Sequence, residues 1–269
     1  MTGSFREAMA SRMLFFDAVR IISITIIILF HLGFLPGTLD LGWAGSYGAG
    51  PIAFLVLLAV SGAVLELTHH GTPNLKRRLL RIYPAYWLSL GFCFVFVVPK
   101  TNIRDWVIQI FGVGLYFNNL RINGVGWIMG LFVVLYFLYP YMSNFLKENS
   151  YLGLAFLFIL SFSFKYLFFI YGNFGMWAPS YSFPLCNLIF FGMGIFIVQR
   201  KMYPHYKSPV TISFISELSY YVFLLQMPMS LWWGQDPSRL MYLVLLLMAS
   251  LILYILDKYI QMCARSLFV

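Results

Sequence analysis

Eight stretches of this chain are long and apolar enough to cross a lipid bilayer, for which a helix needs roughly 17–25 mostly apolar residues. Hydrophobic residues make up 61% of the chain and charged residues 10%, whereas a soluble domain carries roughly 25% charged residues. The predicted fold class is therefore all-α, a polytopic transmembrane helix bundle. The spans are expected near residues 14–35, 49–68, 82–98, 127–146, 151–171, 183–199, 214–233 and 239–259.

A further apolar segment, Asp105 to Phe117, is short enough to suit a re-entrant or interfacial piece. If it does not cross and the N-terminus is cytoplasmic, 13 Lys and Arg residues lie inside and 4 outside; if it crosses, the split is 9 and 8. The positive-inside rule favours the first arrangement. The sequence thus predicts eight crossings, one half-crossing and both termini on the cytoplasmic side of the plasma membrane.

Other global features point to one integral membrane domain over residues 1–269, without an appended soluble domain. The excess of 18 Lys and Arg over 9 Asp and Glu fits loops at an anionic leaflet, so no nucleic-acid partner is expected. Cys93, Cys186 and Cys263 are far apart and form neither a disulfide framework nor a metal-binding spacing. The first apolar run is too long for a signal-peptide core and is predicted to be a retained signal-anchor helix.

The first predicted span carries Arg20 and His31 in an otherwise apolar sequence. Eleven residues of helix make three turns, so both side chains project from one face, roughly 16 Å apart. Ionisable groups at membrane depth usually face a protein interior or a watery cavity, and imidazole can act as a general base. A buried histidine can also be a hydrogen-bonded packing residue. Asp17, three residues before Arg20, can pair with it.

A basic segment precedes the third span and contains Lys76, Arg77, Arg78 and Arg81. One interpretation is a loop that anchors the cytoplasmic side, followed by a helix that begins at a proline. The other is a phosphate-binding cluster, because the arginine fork matches phosphate oxygens. Arg78 and Arg81 are about one turn apart and could then grip one polyanion.

Four further residues are candidates for substrate binding. Trp127 opens a predicted helix that also carries Tyr136, although a tryptophan at this position can be a simple interfacial residue. Gln226 lies two turns after Ser219 and can instead bond a neighbouring helix. Lys165 lies within a span, where it either snorkels outward or lines a cavity.

Taken together, these motifs resemble the acyltransferase-3 family of integral membrane acyltransferases over nearly the whole chain. The resemblance rests on Asp17-x-x-Arg20-x10-His31, Ser61-Gly62, Arg78-x-x-Arg81-Ile-x-Pro84-x-Tyr86-Trp87, Trp127-x8-Tyr136-x3-Pro140, Phe190-Phe191-Gly192-x-Gly194 and Ser219-Tyr220-x5-Gln226-x-Pro228. Two positions depart from the family pattern. Phe132 stands where many relatives carry glutamate, and Gln226 where many carry histidine.

The resemblance implies transfer of an acyl group, expected to be acetyl, from cytoplasmic acyl-CoA to a hydroxyl of a cell-surface or envelope glycan. It places Arg20 and His31 at the reaction centre and the basic segment on the CoA phosphates. Acetyl-CoA is expected as a donor substrate, with no permanently bound cofactor and no metal. The competing predictions are a secondary transporter or flippase of a lipid or glycan, for which no inverted repeat is visible, and a non-enzymatic membrane scaffold.

Overall fold

The structure is a computed structural model that describes residues 13–35, 39–40, 46–69, 75–97, 102–117, 122–172, 182–233 and 239–266. These parts are mainly helical, which confirms the all-α prediction. The helices are α1 (Leu14–His31), α2 (Ala49–His69), α3 (Leu75–Phe92), α4 (Ile103–Ile110), α5 (Trp127–Tyr171), α6 (Leu188–Gln199), α7 (Val210–Trp233) and α8 (Arg239–Ser266).

Shorter elements lie between the helices. Two strands of two residues each, β1 (Leu39–Asp40) and β2 (Ser46–Tyr47), pair antiparallel with Leu39 opposite Tyr47. A π-helical turn, Cys93–Val97, continues α3, and 3-10 turns cover Gly114–Phe117 and Pro184–Asn187. The β pair was not predicted from the sequence.

Six of the described helices are long and apolar enough to cross a membrane: α1, α2, α3, α5, α7 and α8. The 45 residues of α5 include both predicted spans 127–146 and 151–171, and its backbone leaves helical geometry at Ser150 (φ 51°, ψ −119°). A shorter apolar helix covers Pro184–Gln199, where another span was predicted. The total of eight crossings stays a prediction.

The structure corrects the prediction for the basic segment. Lys76, Arg77, Arg78 and Arg81 lie inside the first turns of α3 rather than in a loop, because α3 already begins at Leu75. Leucine, lysine and arginine are all good helix formers, so the helix starts before the apolar part does. Pro84 accordingly lies within α3 and does not begin it.

The chain divides into two compact units, and boundaries of this division fall within α5 and α7. The first comprises residues 1–73 and 131–217, and the second comprises residues 74–130 and 218–269. Each unit is assembled from segments that are distant in sequence, because the chain leaves the first unit and returns to it. The prediction of a single domain over residues 1–269 is not tested by this division and stays a prediction.

In the first unit α2 packs very closely on α6. A Cβ atom at Gly62 would collide with the carbonyl oxygen of Phe191, and one at Gly194 with that of Ala59. Small residues allow membrane helices to approach to backbone contact. The family-like Ser61-Gly62 and Phe190-Phe191-Gly192-x-Gly194 motifs therefore have a packing role. Beside this contact, Phe16 of α1 joins a core with Val60, Ala63 and Val198.

In the second unit α4 is a short helix with a capped N-terminus. Its eight residues span only about 12 Å, as expected for a piece that does not cross. The Asn102 side chain accepts a hydrogen bond from the Asp105 amide at 3.0 Å, and the Asp105 carboxylate accepts one from the Asn102 amide. This capping box satisfies amide groups that a helix end otherwise leaves open.

Aromatic side chains of α3 satisfy the other end of α4. Tyr83, Tyr86 and Trp87 donate hydrogen bonds to three successive carbonyl oxygens, those of Phe111, Gln109 and Ile110, at 2.9, 2.7 and 2.9 Å. A helix end has orphan carbonyls that are costly to leave unpaired away from water. The Tyr and Trp side chains of the α3 motif thus hold the C-terminal end of α4 in place.

Candidate functional site

Arg20 lies in a polar cluster between α1 and the start of α7, which we call the Asp17 cluster: Asp17, Arg20, Ser213 and Ser216. The Arg20 Nη1 atom donates to the Ser216 Oγ atom at 3.1 Å and lies 3.7 Å from the Asp17 Oδ1 atom. The Ser216 and Ser213 hydroxyls donate to the two Asp17 carboxylate oxygens at 2.7 and 3.2 Å. The predicted pairing of Arg20 with Asp17 is present, and α7 completes it.

His31 is the last residue of α1, and its side chain is exposed. The helix runs without interruption from Arg20 to His31, so the two residues keep the predicted spacing of three turns, roughly 16 Å. The His31 ring lies 5.6 Å from the Phe30 ring, centroid to centroid. Since the imidazole is not enclosed by packing, the interpretation of His31 as a buried packing residue is wrong.

A second buried carboxylate, not singled out from the sequence, lies in the same unit. Glu66 of α2 accepts hydrogen bonds from Tyr139 OH and Ser143 Oγ, both at 2.7 Å, and from Gln199 Nε2 at 3.1 Å. We call Glu66, Tyr139, Ser143 and Gln199 the Glu66 cluster. Its donors come from α5 and α6, so one carboxylate links three helices. An acidic residue near the end of an apolar span was the available sequence signal.

Lys165 and Tyr136 both lie on α5 and pack against α6. Lys165 is only 3% exposed, and its Nζ atom lies 5.1 Å from the Phe162 ring centroid and 5.7 Å from that of Phe190. Cation–π contact stabilises a charge in such surroundings, and the lysine does not snorkel outward. Tyr136 is buried, with its ring centroid 6.5 Å from that of Phe191.

The basic residues predicted to hold phosphates belong to the second unit. Arg81 is exposed and Arg78 is half-buried, one turn before it on α3. The side chains of Lys76 and Arg77 lie outside the part of the chain that the structure describes. Tyr220 of α7 donates to the Ile82 carbonyl oxygen at 3.2 Å, so α3 is joined to α7 one residue after Arg81.

Trp127 and Gln226 are both buried in the second unit. The glycine-containing turn before Trp127 packs on α7, since a Cβ atom at Gly124 would lie 3.1 Å from the Met227 Cε atom, next to Gln226. The Gln226 carbonyl oxygen accepts a hydrogen bond from Tyr242 OH. Burial of Trp127 at 5% exposed contradicts its interpretation as a simple interfacial residue.

The ten predicted site residues are therefore divided between the two units. Arg20, His31, Tyr136 and Lys165 belong to the first, and Arg78, Arg81, Arg77, Lys76, Trp127 and Gln226 to the second. Sequence reasoning missed the contribution of Ser213 and Ser216 to the Arg20 site. Their spacing of three residues, which puts both hydroxyls on one face of a helix, was the signal that could have indicated it.

A family model described as an acyltransferase domain matches residues 13–258 of this chain, which is nearly its whole length. The chain belongs to the acyltransferase-3 family. No curated protein and no solved structure matches it. The match begins one residue before α1 and ends in α8, so Arg20, His31 and the basic turns of α3 all lie within it.

Phe132 and Gln226 are the two positions at which this acyltransferase departs from the family pattern, and they differ in burial. Phe132 is half-buried, and its ring centroid lies 5.5 Å from that of Tyr136. An apolar ring stands there in place of the glutamate of many relatives. Gln226, where many relatives carry histidine, is 2% exposed, so this position offers a buried amide.

Proposed function

We propose that this membrane acyltransferase moves an acyl group, expected to be acetyl, from cytoplasmic acyl-CoA to a hydroxyl of a cell-surface or envelope glycan. The observation that carries the proposal is α1: within a chain of this family, one uninterrupted helix presents an exposed His31 three turns from a tethered Arg20. The protein works from the plasma membrane, with both termini in the cytoplasm.

His31 is the proposed general base. Its neutral imidazole takes the proton of the acceptor hydroxyl as that oxygen attacks the thioester carbonyl carbon. The tetrahedral intermediate then collapses, the carbon–sulfur bond breaks, and the CoA thiolate recovers the proton from the imidazolium. In the alternative route, His31 attacks the thioester carbonyl carbon and the CoA thiolate leaves; the acceptor hydroxyl then attacks the acyl-imidazole, its proton passes to the thiolate, and the free imidazole is restored. Both routes balance without a metal or an additional cofactor.

Arg78 and Arg81 are the proposed ligands of the CoA phosphates, with Lys76 and Arg77 beside them. Arg81 is exposed and Arg78 half-buried on consecutive turns of α3, which suits two forks that bind one polyanion. Helical rather than loop geometry supports this role, because helical backbone holds the spacing of the side chains. Arg20, in contrast, is partly neutralised by Asp17 and is proposed to act at the reacting end of the donor.

Acceptor binding is assigned to Trp127, Tyr136, Gln226 and Lys165. Aromatic rings stack on sugar faces, and a buried amide and a buried cation supply hydrogen bonds that fix orientation. Lys165, whose Nζ atom lies near the Phe162 and Phe190 rings, is also proposed to provide a positive charge for an anionic substituent of the glycan.

Thermal unfolding and turnover of the purified protein with acetyl-CoA test this function. A ligand that binds the native state raises its apparent stability. Acetyl-CoA should stabilise the wild type and the His31→Ala variant alike, whereas His31→Ala should abolish transfer. The Arg78→Glu/Arg81→Glu variant should lose the stabilisation.

The matched control replaces two exposed lysines of the other unit, Lys147→Glu/Lys207→Glu, and should keep the stabilisation. Transfer activity in His31→Ala would show that His31 takes no part in the chemical step. A wild type that acetyl-CoA does not stabilise even at millimolar concentration would refute the donor assignment.

A further inference from the structure

We propose that Asp17 and Ser216 are positioning residues that hold the guanidinium of Arg20 in place for acyl transfer. This inference rests on the function proposed above, since it assigns the residues through which Arg20 is oriented. Asp17 belongs to the same helix turn as Arg20, but Ser216 is 196 residues away in sequence and reaches Arg20 only through the packing of α7 on α1.

The direction of each hydrogen bond in the Asp17 cluster follows from the chemistry of its members. A guanidinium only donates and a carboxylate only accepts. The Ser216 hydroxyl must therefore accept from Arg20 Nη1, at 3.1 Å, and give its single proton to Asp17 Oδ1, at 2.7 Å. The serine hydroxyl therefore bridges the two charges: in one orientation it accepts a hydrogen bond from Arg20 and donates one to Asp17.

The carboxylate is held as firmly as the serine. Ser213, one turn before Ser216 on α7, donates to Asp17 Oδ2 at 3.2 Å. Asp17 is 4% exposed, and Ser213 and Ser216 are both fully buried. Hydrogen bonds that involve an ionised group and are shielded from water are stronger than neutral exposed ones. The anchor of Arg20 is therefore rigid and built from two helices.

Arg20 itself is the most exposed member of the cluster: its side chain is 20% exposed, against 5% for Asp17. An arginine side chain carries about 2 kcal/mol of rotamer entropy. A guanidinium that is already ordered by Asp17 and Ser216 does not have to lose that entropy when the donor and acceptor bind. Release of a positioned group from its supporting contacts costs on the order of 100-fold in rate.

This role separates turnover from donor affinity. The CoA phosphates are assigned to α3, so loss of the Arg20 anchor should lower kcat and leave the KM for acetyl-CoA close to that of the wild type. A merely structural role of Ser216 would instead lower the amount of folded protein and leave the kcat of the folded molecules unchanged.

The test compares Ser216→Ala, Asp17→Asn and the double variant with the wild type. Ser216→Ala and Asp17→Asn should each lower kcat ten- to 100-fold. The double variant should be no slower than the slower single variant, because both changes free the same side chain and residues in one network are not additive. Ser250→Ala is the matched control, because Ser250 is a buried serine whose hydroxyl donates within its own helix, to Leu246 O; this variant should retain wild-type kcat.

A second readout does not depend on turnover. The rate at which phenylglyoxal labels Arg20, followed by peptide mass spectrometry, should rise several-fold in Ser216→Ala and Asp17→Asn and stay unchanged in Ser250→Ala. If the wild type transfers no acyl group, the proposed function fails, while faster labelling still supports the anchor. Unchanged labelling, an unchanged kcat in Ser216→Ala, or single effects that multiply in the double variant would each overturn the positioning role.

Discussion

The Asp17 and Glu66 clusters lie in the same unit and each centres on a buried carboxylate, but they differ in their partners. Asp17 receives two serine hydroxyls and pairs with a cation whose side chain is 20% exposed. Glu66 receives a phenol, a hydroxyl and an amide, all neutral, and is 6% exposed. The Asp17 cluster includes a partly exposed guanidinium that can reach a substrate, whereas the Glu66 cluster encloses its carboxylate.

This difference separates two uses of a costly buried acid. Glu66 accepts hydrogen bonds from neutral donors on two other helices. Such a carboxylate stabilises the association of the helices, because hydrogen bonds between membrane helices contribute to their packing. A carboxylate that shares a serine with an arginine orients the arginine. We therefore expect the Glu66 cluster to govern stability and the Asp17 cluster to govern turnover.

The largest effect on stability is expected for Glu66→Ala. Three donors would lose their shared acceptor, and an unsatisfied buried group costs about 1–3 kcal/mol. The unfolding free energy in detergent should fall by about 3 kcal/mol, with the kcat of the folded fraction unchanged. Glu148→Ala, at an exposed glutamate of α5, is the control. Equal unfolding free energies of Glu66→Ala and Glu148→Ala would contradict a stabilising role of the Glu66 cluster.

An intermediate effect is expected for Tyr139→Phe, which removes one of the three donors to Glu66 and leaves the ring in place. The loss of a hydrogen bond to a charged group should lower the unfolding free energy by about 1–2 kcal/mol. The same measurement on Tyr141→Phe, at a tyrosine that is 66% exposed, should give no change. A larger loss at Tyr141 than at Tyr139 would contradict the assignment.

The smallest effect on stability is expected for Arg20→Lys. The charge beside Asp17 is kept, so the unfolding free energy should fall by less than about 1 kcal/mol. The planar fork that meets Ser216 is lost, and transfer of the acyl group should slow at least tenfold. A variant that is as unstable as Glu66→Ala and fully active would show that both clusters serve the fold alone.

Much of the architecture could be predicted from local patterns. The apolar stretches predicted the long helices, and the short segment predicted at residues 105–117 overlaps most of the eight-residue α4, which begins at Ile103. The start of α3 was predicted too late, because hydropathy marks where a helix becomes apolar and not where its backbone begins. The spacing of Arg20 and His31 follows from helix geometry alone, once α1 is uninterrupted.

The candidate site could be predicted only where its residues share one helix. Arg20, His31 and Asp17 lie on α1, and Arg78 and Arg81 on α3, so periodicity sufficed to group them. The exposure of His31 and the burial of Lys165 could not be predicted, because each depends on which neighbouring helices cover the residue. The hydrogen-bond partners of Glu66 likewise lie on two other helices, α5 and α6, and no local pattern connects them to α2.

The sequence by itself determined the family, through its spaced motifs. It also determined the helical fold class and the register of residues within each helix, because these depend on composition and on a repeat of about 3.6 residues. Only the tertiary structure decided that Ser216 bridges Arg20 and Asp17, and that Tyr139, Ser143 and Gln199 meet at Glu66. Those hydrogen bonds join residues 73 to 199 positions apart. Their formation depends on how the helices pack, and a hydrogen bond is sensitive to tenths of an ångström.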